Sequence, residues 1–383
     1  MDLNMQDTQH EVLFEVRGKT GFISLNRPRA LNALNLPMIR ALTAQLLAWR
    51  MDSALDLVAI RGMSKPGTDG SVNPFGSFCA GGDIRFFHQA ALSGNPELED
   101  FFTEEYRLNH LIATYSKPYI ALMDGIVMGG GMGISQGARL RIVTERTKMA
   151  MPETGIGLFP DVGGGYFLSR CPGYVGEFLA LTGAVIGADE AIAYGLADKK
   201  VDASKLPALW QELSSLDVTT FAELKNTPEI IAYEAGNTPA KGQIDHYFSL
   251  PDVAAIVHAL EADSDPWAQQ TAQTLRSRSP LMLHVVLEQI RRGRQMSLVQ
   301  DLQMERDLVH HCFHTQHLGR HGASSETVEG IRALAVDKDH RPRWQPASIE
   351  EVTPDMVTPF FSSPWPVHAH PLRDLNRAEQ AYS

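Results

Sequence analysis

Runs of apolar residues at two spacings, alternate positions for strands and every third or fourth for helices, divide this chain into elements. Val12–Arg17 (VLFEVR) and Thr20–Leu25 (TGFISL) are strand-like and joined through Gly18 and Lys19, which reads as a hairpin. Residues 38–51 then carry apolar side chains at helical spacing. The runs 57–61 (LVAIR), Tyr119–Met123 (YIALM) and 140–144 (LRIVT) read as buried strands. Helical patterns fill the intervals, so an α/β class is expected. From about residue 219 onward the pattern is mostly helical, with segments at 252–262, Pro266–Ser277, 280–292 and 298–311. The division predicted is a mixed core over 11–215, a helical C-terminal region over 216–355 and a polar, proline-rich tail over 356–383. Such a tail is either disordered or draped over another surface.

Two glycine-rich stretches interrupt this pattern just past strand ends: FCAGGD at 78–83 and MGGGMG at 128–133. Helices are expected to begin near Asp83 and Gly130, which puts the turn N–H groups near positive helix termini. An acidic, glycine-rich segment follows, MPETGIGLFPDVGGG at 151–165. Stabilising negative charge on a carbonyl oxygen requires two backbone N–H groups from different loops, with no side chain in the way. The ordered trio therefore looks like an oxyanion hole facing a carboxylate. Each stretch alone has a plainer reading, as an ordinary turn or a close helix–strand contact. A phosphate cradle is a poor fit. Neither stretch has the Lys-Ser/Thr ending of a P-loop or the spaced glycines of a dinucleotide fingerprint.

Four collinear motifs carry a resemblance: LNRPRALNALN at 25–35, FCAGGDIR at 78–85, DGIVMGGGMGIS at 124–135 and PETGIGLFPDVGGG at 152–165. The chain resembles the crotonase (enoyl-CoA hydratase/isomerase) superfamily. EEYRLNH at 104–110, MPETGIGLFPDVGGGYFLSR from Met151 and EGIRALAVDKDHRPRW at 329–344 are similar to its 3-hydroxyisobutyryl-CoA hydrolase branch. The likeness covers roughly residues 11–355. It implies an α/β spiral of repeated ββα turns with two roughly perpendicular sheets, then helices that cover the active site or form subunit contacts. The expected activity is thioester hydrolysis of a short, branched 3-hydroxyacyl-CoA, of the valine-degradation type. Coenzyme A enters as part of the substrate, with no separate cofactor and no metal.

The resemblance also places the chemistry. Hydratases of the superfamily hold a water between two glutamates, and Gly133 stands where this chain would need the first. One carboxylate would then have to activate the water and protonate carbon alone, which makes hydration difficult. Glu153 matches the second glutamate, and Asp161 matches a functional acid of the hydrolases. Gly82 and Gly130 match the oxyanion amides, and Glu105 matches a substrate-contacting acid, with Glu104 next to it. Two alternatives stand beside hydrolysis: a crotonase-fold hydratase or isomerase, and a non-catalytic CoA-binding protein. Retention of Glu153 with both glycine motifs speaks against the second. Asp83 and Asp124 are read as caps or loop anchors.

Composition narrows the partners. The 383 residues are 44% hydrophobic and 21% charged, ordinary for a globular protein, with net charge −11. That balance disfavours nucleic acid. An anionic CoA then needs local basic groups, and Arg27, Arg29 and Arg85 beside the motif loops are the candidates. Three cysteines without metal-ligand spacing suit reduced thiols in a cytoplasm. The N-terminal MDLNMQDTQHEV has neither a signal-peptide apolar run nor a basic, acid-poor presequence composition, and no segment reaches membrane-span length. A homo-oligomer is allowed. The stretch 62–77 (GMSKPGTDGSVNPFGS) reads as a mobile loop that helps admit the substrate. His310, His311, His314, His317 and His321 cluster, with two pairs at i, i+4 spacing. No nearby carboxylate pattern accompanies them, so they are read as a polar helix end.

Overall fold

The structure is a computed structural model that describes residues 10–65, 74–217, 221 and 241–375. Residues 66–73 of the glycine-rich loop, 376–383 of the tail and most of 218–240 lie outside the described residues. The chain divides into two compact units that interleave along the sequence. The first comprises Met1–Gly82, Leu108–Met149 and Ile186–Glu234, the second Asp83–Arg107, Ala150–Val185 and Ala235–Ser383.

A six-stranded mixed sheet organises the first unit. Its strands are β1 (Val12–Arg17), β2 (Thr20–Leu25), β3 (Leu57–Gly62), β4 (Tyr119–Met123), β6 (Leu140–Val143) and β8 (Lys199–Lys200), side by side in that order. β1 and β2 pair antiparallel as the expected hairpin, and every later pair is parallel, with Thr20 opposite Leu57 and Val58 opposite Tyr119. The apolar runs of β2, β3 and β4 are almost wholly buried, as strands covered on both faces must be. A smaller second layer of pairing joins β5 (Ile126–Met128) to β7 (Lys148–Ala150). It is extended by bridges between Leu34 and Gly82, Cys79 and Val127, and Met149 and Ile186.

Each turn of the chain thus runs through the large sheet, then the small one, then a helix. β2, the Leu34 bridge and α1 (Leu36–Met51) make one turn; β3, the Cys79 bridge and α2 (Ile84–Ser93) the next. β4, β5 and α4 (Gly130–Gln136) repeat it after the intervening α3 (Glu97–Ala113). α1 starts where Asn35 accepts a hydrogen bond from the Met38 N–H at 2.9 Å. It buries Leu36, Ile39, Leu42, Leu46 and Trp49, the helical spacing read in the sequence. Phe22, Leu57, Ile120, Leu122 and Ile142 of the sheet pack with Trp210, whose ring lies 4.6 Å from Phe22. Phe75, at the described end of the 62–77 loop, is buried against this same core.

The second unit is helical. It holds α2, α3 as far as Arg107, α5 (Gly164–Leu168), α6 (Val175–Thr182) and the helices Lys241–Phe248, Val253–Ala262, Pro266–Ser277, Pro280–Gly293, Leu298–Phe313 and Glu326–Ile331. Their starts follow side-chain capping: Asp252, Asp265, Ser279, Ser297 and Ser325 each accept from an N–H two or three residues on. Residues 356–375 pack in this unit through Phe360, Leu372 and Leu375, and Arg107 ties them down through Asp374 at 2.7 Å.

Candidate active site

In the first unit the two glycine stretches meet backbone to backbone. Cys79 donates to the Ile126 carbonyl at 3.0 Å and accepts from the Met128 N–H at 3.0 Å, while the Leu34 N–H donates to the Gly81 carbonyl at 2.8 Å. Gly81 has φ of 106°, a conformation closed to side chains. A Cβ on Gly131 would lie 2.3 Å from the Cys79 carbonyl oxygen, so glycine is what allows this approach. Gly82 and Gly130, one on each stretch, keep N–H groups without an acceptor among the described residues. Gly130 opens α4, where the first N–H groups have no intrahelical partner. Gly133 is buried inside that helix and offers no carboxylate.

The acids gather in the second unit. Glu105 and Tyr106 come from α3, Glu153 opens the 3-10 turn Glu153–Ile156, and Asp161 follows it. All four side chains are buried, whereas the neighbouring Glu104 is only half-buried. Glu153 is fixed through its neighbours. Thr154 accepts from the Ser279 N–H at 3.1 Å and its hydroxyl donates to the Leu181 carbonyl at 3.0 Å; the Thr327 hydroxyl donates to the Gly157 carbonyl at 2.7 Å. The Tyr106 hydroxyl donates to Asp161 Oδ2 at 3.0 Å. Glu153 Oε2 and Glu105 Oε1 are buried with no hydrogen-bond partner among the described residues. Two carboxylate oxygens left this way are costly, and such groups concentrate where chemistry uses them.

Burial, then the charge of Asp161, pushes the Glu153 carboxyl well above the usual range. Burial, then Asp161 and Glu153, does the same to Glu105. Burial raises Asp161 to about 7, against the Tyr106 hydrogen bond, which pulls the other way. A carboxyl whose folded pKa exceeds its unfolded value stabilises the fold at pH below the unfolded value, and that contribution is lost as pH rises through the folded one. For Asp161 the window runs from about 3.8 to about 7. Asp161→Asn therefore gains stability relative to the wild type at pH 8, by about 2 kcal/mol at most after relaxation, and gains none near pH 4. Melting both proteins at the two pH values checks this. A difference that grows toward pH 4 would contradict it.

Behind Asp161 stand residues that the sequence did not single out. Val162 has φ of 57°, unusual for a branched side chain, and Gly163 has 89°. Glu305, fully buried on Leu298–Phe313, accepts from the Gly163 N–H at 2.7 Å and the Gly165 N–H at 2.9 Å. Asp301, one turn earlier, accepts from the Tyr166 N–H at 2.8 Å, and Gln289 donates to the Pro160 carbonyl at 2.7 Å and to Glu305 at 3.2 Å. A readable signal existed: Asp301 and Glu305 lie on the stripe that continues through Leu308 and Cys312, so the acids occupy an otherwise apolar face.

Arg27, in the first unit, pairs with Glu11 at 3.1 Å and donates to the Ala33 carbonyl at 3.0 Å. Arg29 is exposed in the first unit, and Arg85 is exposed on the first turn of α2 in the second. Asp83 caps α2 by accepting from the Phe86 N–H at 3.3 Å, and Asp124 is buried against Arg146 and the Thr144 hydroxyl. A cavity of about 500 Å³ in the second unit is lined by His284, Arg291, Ile349 and Phe361 among others, and by none of Glu105, Glu153 or Asp161. No helix among the described residues is long and apolar enough to cross a membrane.

Repeated passage through two sheets into a helix, with a helical C-terminal region, defines an α/β fold of the crotonase type. The chain belongs to the enoyl-CoA hydratase/isomerase family, whose model matches residues 20–361. It is 41% identical to the mitochondrial 3-hydroxyisobutyryl-CoA hydrolase of Danio rerio, over 92% of this chain and 90% of that protein. The mitochondrial 3-hydroxyisobutyryl-CoA hydrolase of Homo sapiens is 37% identical over 93% and 90%. Among solved structures, a carnitinyl-CoA dehydratase from Mycobacterium thermoresistibile superposes with a TM-score of 0.80 at 37% identity, covering 94% of this chain and 98% of that one. An enoyl-CoA hydratase from Rhodobacter sphaeroides 2.4.1 gives 0.80 at 34%, over 93% and 98%.

Proposed function

We propose that this chain hydrolyses 3-hydroxyisobutyryl-CoA to 3-hydroxyisobutyrate and CoA. The observation that carries the reading is the acid set: Gly133 where a hydratase needs a carboxylate, with Glu153 and Asp161 buried side by side in electrostatic terms. The names of the two hydrolases above agree with it. The thioester oxygen accepts hydrogen bonds from the Gly82 and Gly130 N–H groups, each worth ~3 kcal/mol as negative charge develops. Ionised Glu153 takes a proton from water, whose oxygen adds to the carbonyl carbon. Collapse breaks the C–S bond, and the departing thiolate takes the proton. In the variant route Glu153 attacks the carbon itself and water opens the mixed anhydride. Asp161 binds the 3-hydroxyl or helps orient the water, Glu105 lines the pocket, and Arg27, Arg29 and Arg85 meet the CoA phosphates. Because Glu153 must be ionised and lies above its usual range, kcat/KM rises with pH at values above the ordinary carboxylate range.

The names of the two solved relatives favour a second reading, a crotonase-fold lyase. Reaction in oxygen-18 water separates the two. Hydrolysis places the label in the carboxylate of a free acid, with CoA thiol released. Hydration places it on the acyl carbon chain with the thioester intact, and that result would overturn the proposal. Under single turnover, label found in Glu153 selects the anhydride route. We place the enzyme in a cytoplasm, supported by three buried cysteines of which none forms a disulfide. Fractionation of the producing cells checks the compartment.

A further inference from the structure

The histidine-rich stretch finds the carboxylate that its own sequence neighbourhood lacks. His310 lies in the last turn of Leu298–Phe313 and His314 is the C-cap residue just past its end, and Glu99, on the first turn of α3, reaches both. Glu99 Oε1 lies 3.1 Å from His310 Nδ1 and 3.5 Å from His314 Nε2, and one ligand atom from each of the three residues falls within 4.8 Å of the others. Ligands at ~2.0–2.1 Å from a tetrahedral zinc ion are separated by roughly 3.4 Å. Two of the three separations therefore already have the size of a metal shell.

The carboxylate is also held from behind. Arg306, buried, binds the other oxygen of Glu99, and its Nε donates to the Thr103 hydroxyl at 2.9 Å. This is the outer support that fixes a ligand's orientation. Trp365 covers one side, its ring 4.9 Å from that of His310 and 4.7 Å from the Arg306 guanidinium. The ligand side chains stay half-exposed, so an ion can enter and a water can complete the shell.

We propose that Glu99, His310 and His314 form a binding site for a divalent transition-metal ion, with zinc the best match to two imidazoles and a carboxylate. The site lies outside the thioester machinery and acts by tying α3 to the helix Leu298–Phe313. The positive charge of Arg306 opposes the cation and weakens its binding. The test is titration of chelator-treated protein with zinc against a chromogenic chelator, repeated with cobalt(II) for its visible spectrum. The expected result is one equivalent bound with a tetrahedral cobalt spectrum. Affinity falls at least about tenfold in His314→Ala and in Glu99→Gln. His317→Ala binds as the wild type does, and His314→Ala keeps full thiol release. Absence of stoichiometric binding, or wild-type affinity in both Glu99→Gln and His314→Ala, would overturn the proposal.

Discussion

Glu153→Gln lowers kcat for thiol release from 3-hydroxyisobutyryl-CoA by at least about 10³-fold, while acyl-CoA binding changes no more than a few-fold. Gln keeps the shape of the side chain but can neither take a proton from water nor attack a carbonyl. The expected loss is one of chemistry, with the fold retained. Burial and the charge of Asp161 disfavour ionised Glu153, so a neutral amide leaves the protein at least as stable wherever Glu153 is ionised. Thiol-reagent kinetics give kcat, calorimetry with a thioether analogue gives binding, and a melting curve gives stability. Unchanged turnover would remove Glu153 from the mechanism. Lost binding together with a lowered melting temperature would make it a structural residue.

The second large effect falls on a residue remote from the reacting bond. Glu305→Ala destabilises the protein by about 3–5 kcal/mol and lowers turnover as well. Three buried donors, the N–H groups of Gly163 and Gly165 and the Gln289 amide, lose an acceptor together, each loss costing ~1–3 kcal/mol. Relief of the buried carboxyl offsets part of that sum. Activity follows because Gly163 lies two residues past Asp161, in a turn whose Val162 holds positive φ only while its surroundings enforce it. Glu305→Gln, which keeps one accepting oxygen, retains more of both. Denaturant unfolding of the two variants checks the order. An alanine variant as stable as the wild type would show that the turn holds itself.

Local chemistry decided what the sequence disclosed. β1, β2 and β4 and the helix Pro266–Ser277 have the bounds their residues suggested, because Gly18 breaks the hairpin and Asp265 with Pro266 starts the helix. β5, β7 and β8 span two or three residues each, too few for a period to register. Motifs single out Glu105, Glu153 and Asp161, and the structure brings these three acids into one buried group. Motifs do not single out their supports: Glu305 meets Gly163 across 142 residues, and Glu99 meets His310 across 211. No local window holds both partners. The missing carboxylate that made the histidines look like a polar helix end belongs to a different helix.

The claim that hydrolysis is the reaction is met most directly by one comparison on one preparation: thiol release from 3-hydroxyisobutyryl-CoA beside hydration of crotonyl-CoA. Gly133 in place of a second carboxylate predicts rapid thiol release and hydration slower by at least about 10²-fold. Hydration without thiol release would mean that Asp161 or Glu105 supplies the second acid, and the mechanism proposed for Glu153 would be wrong.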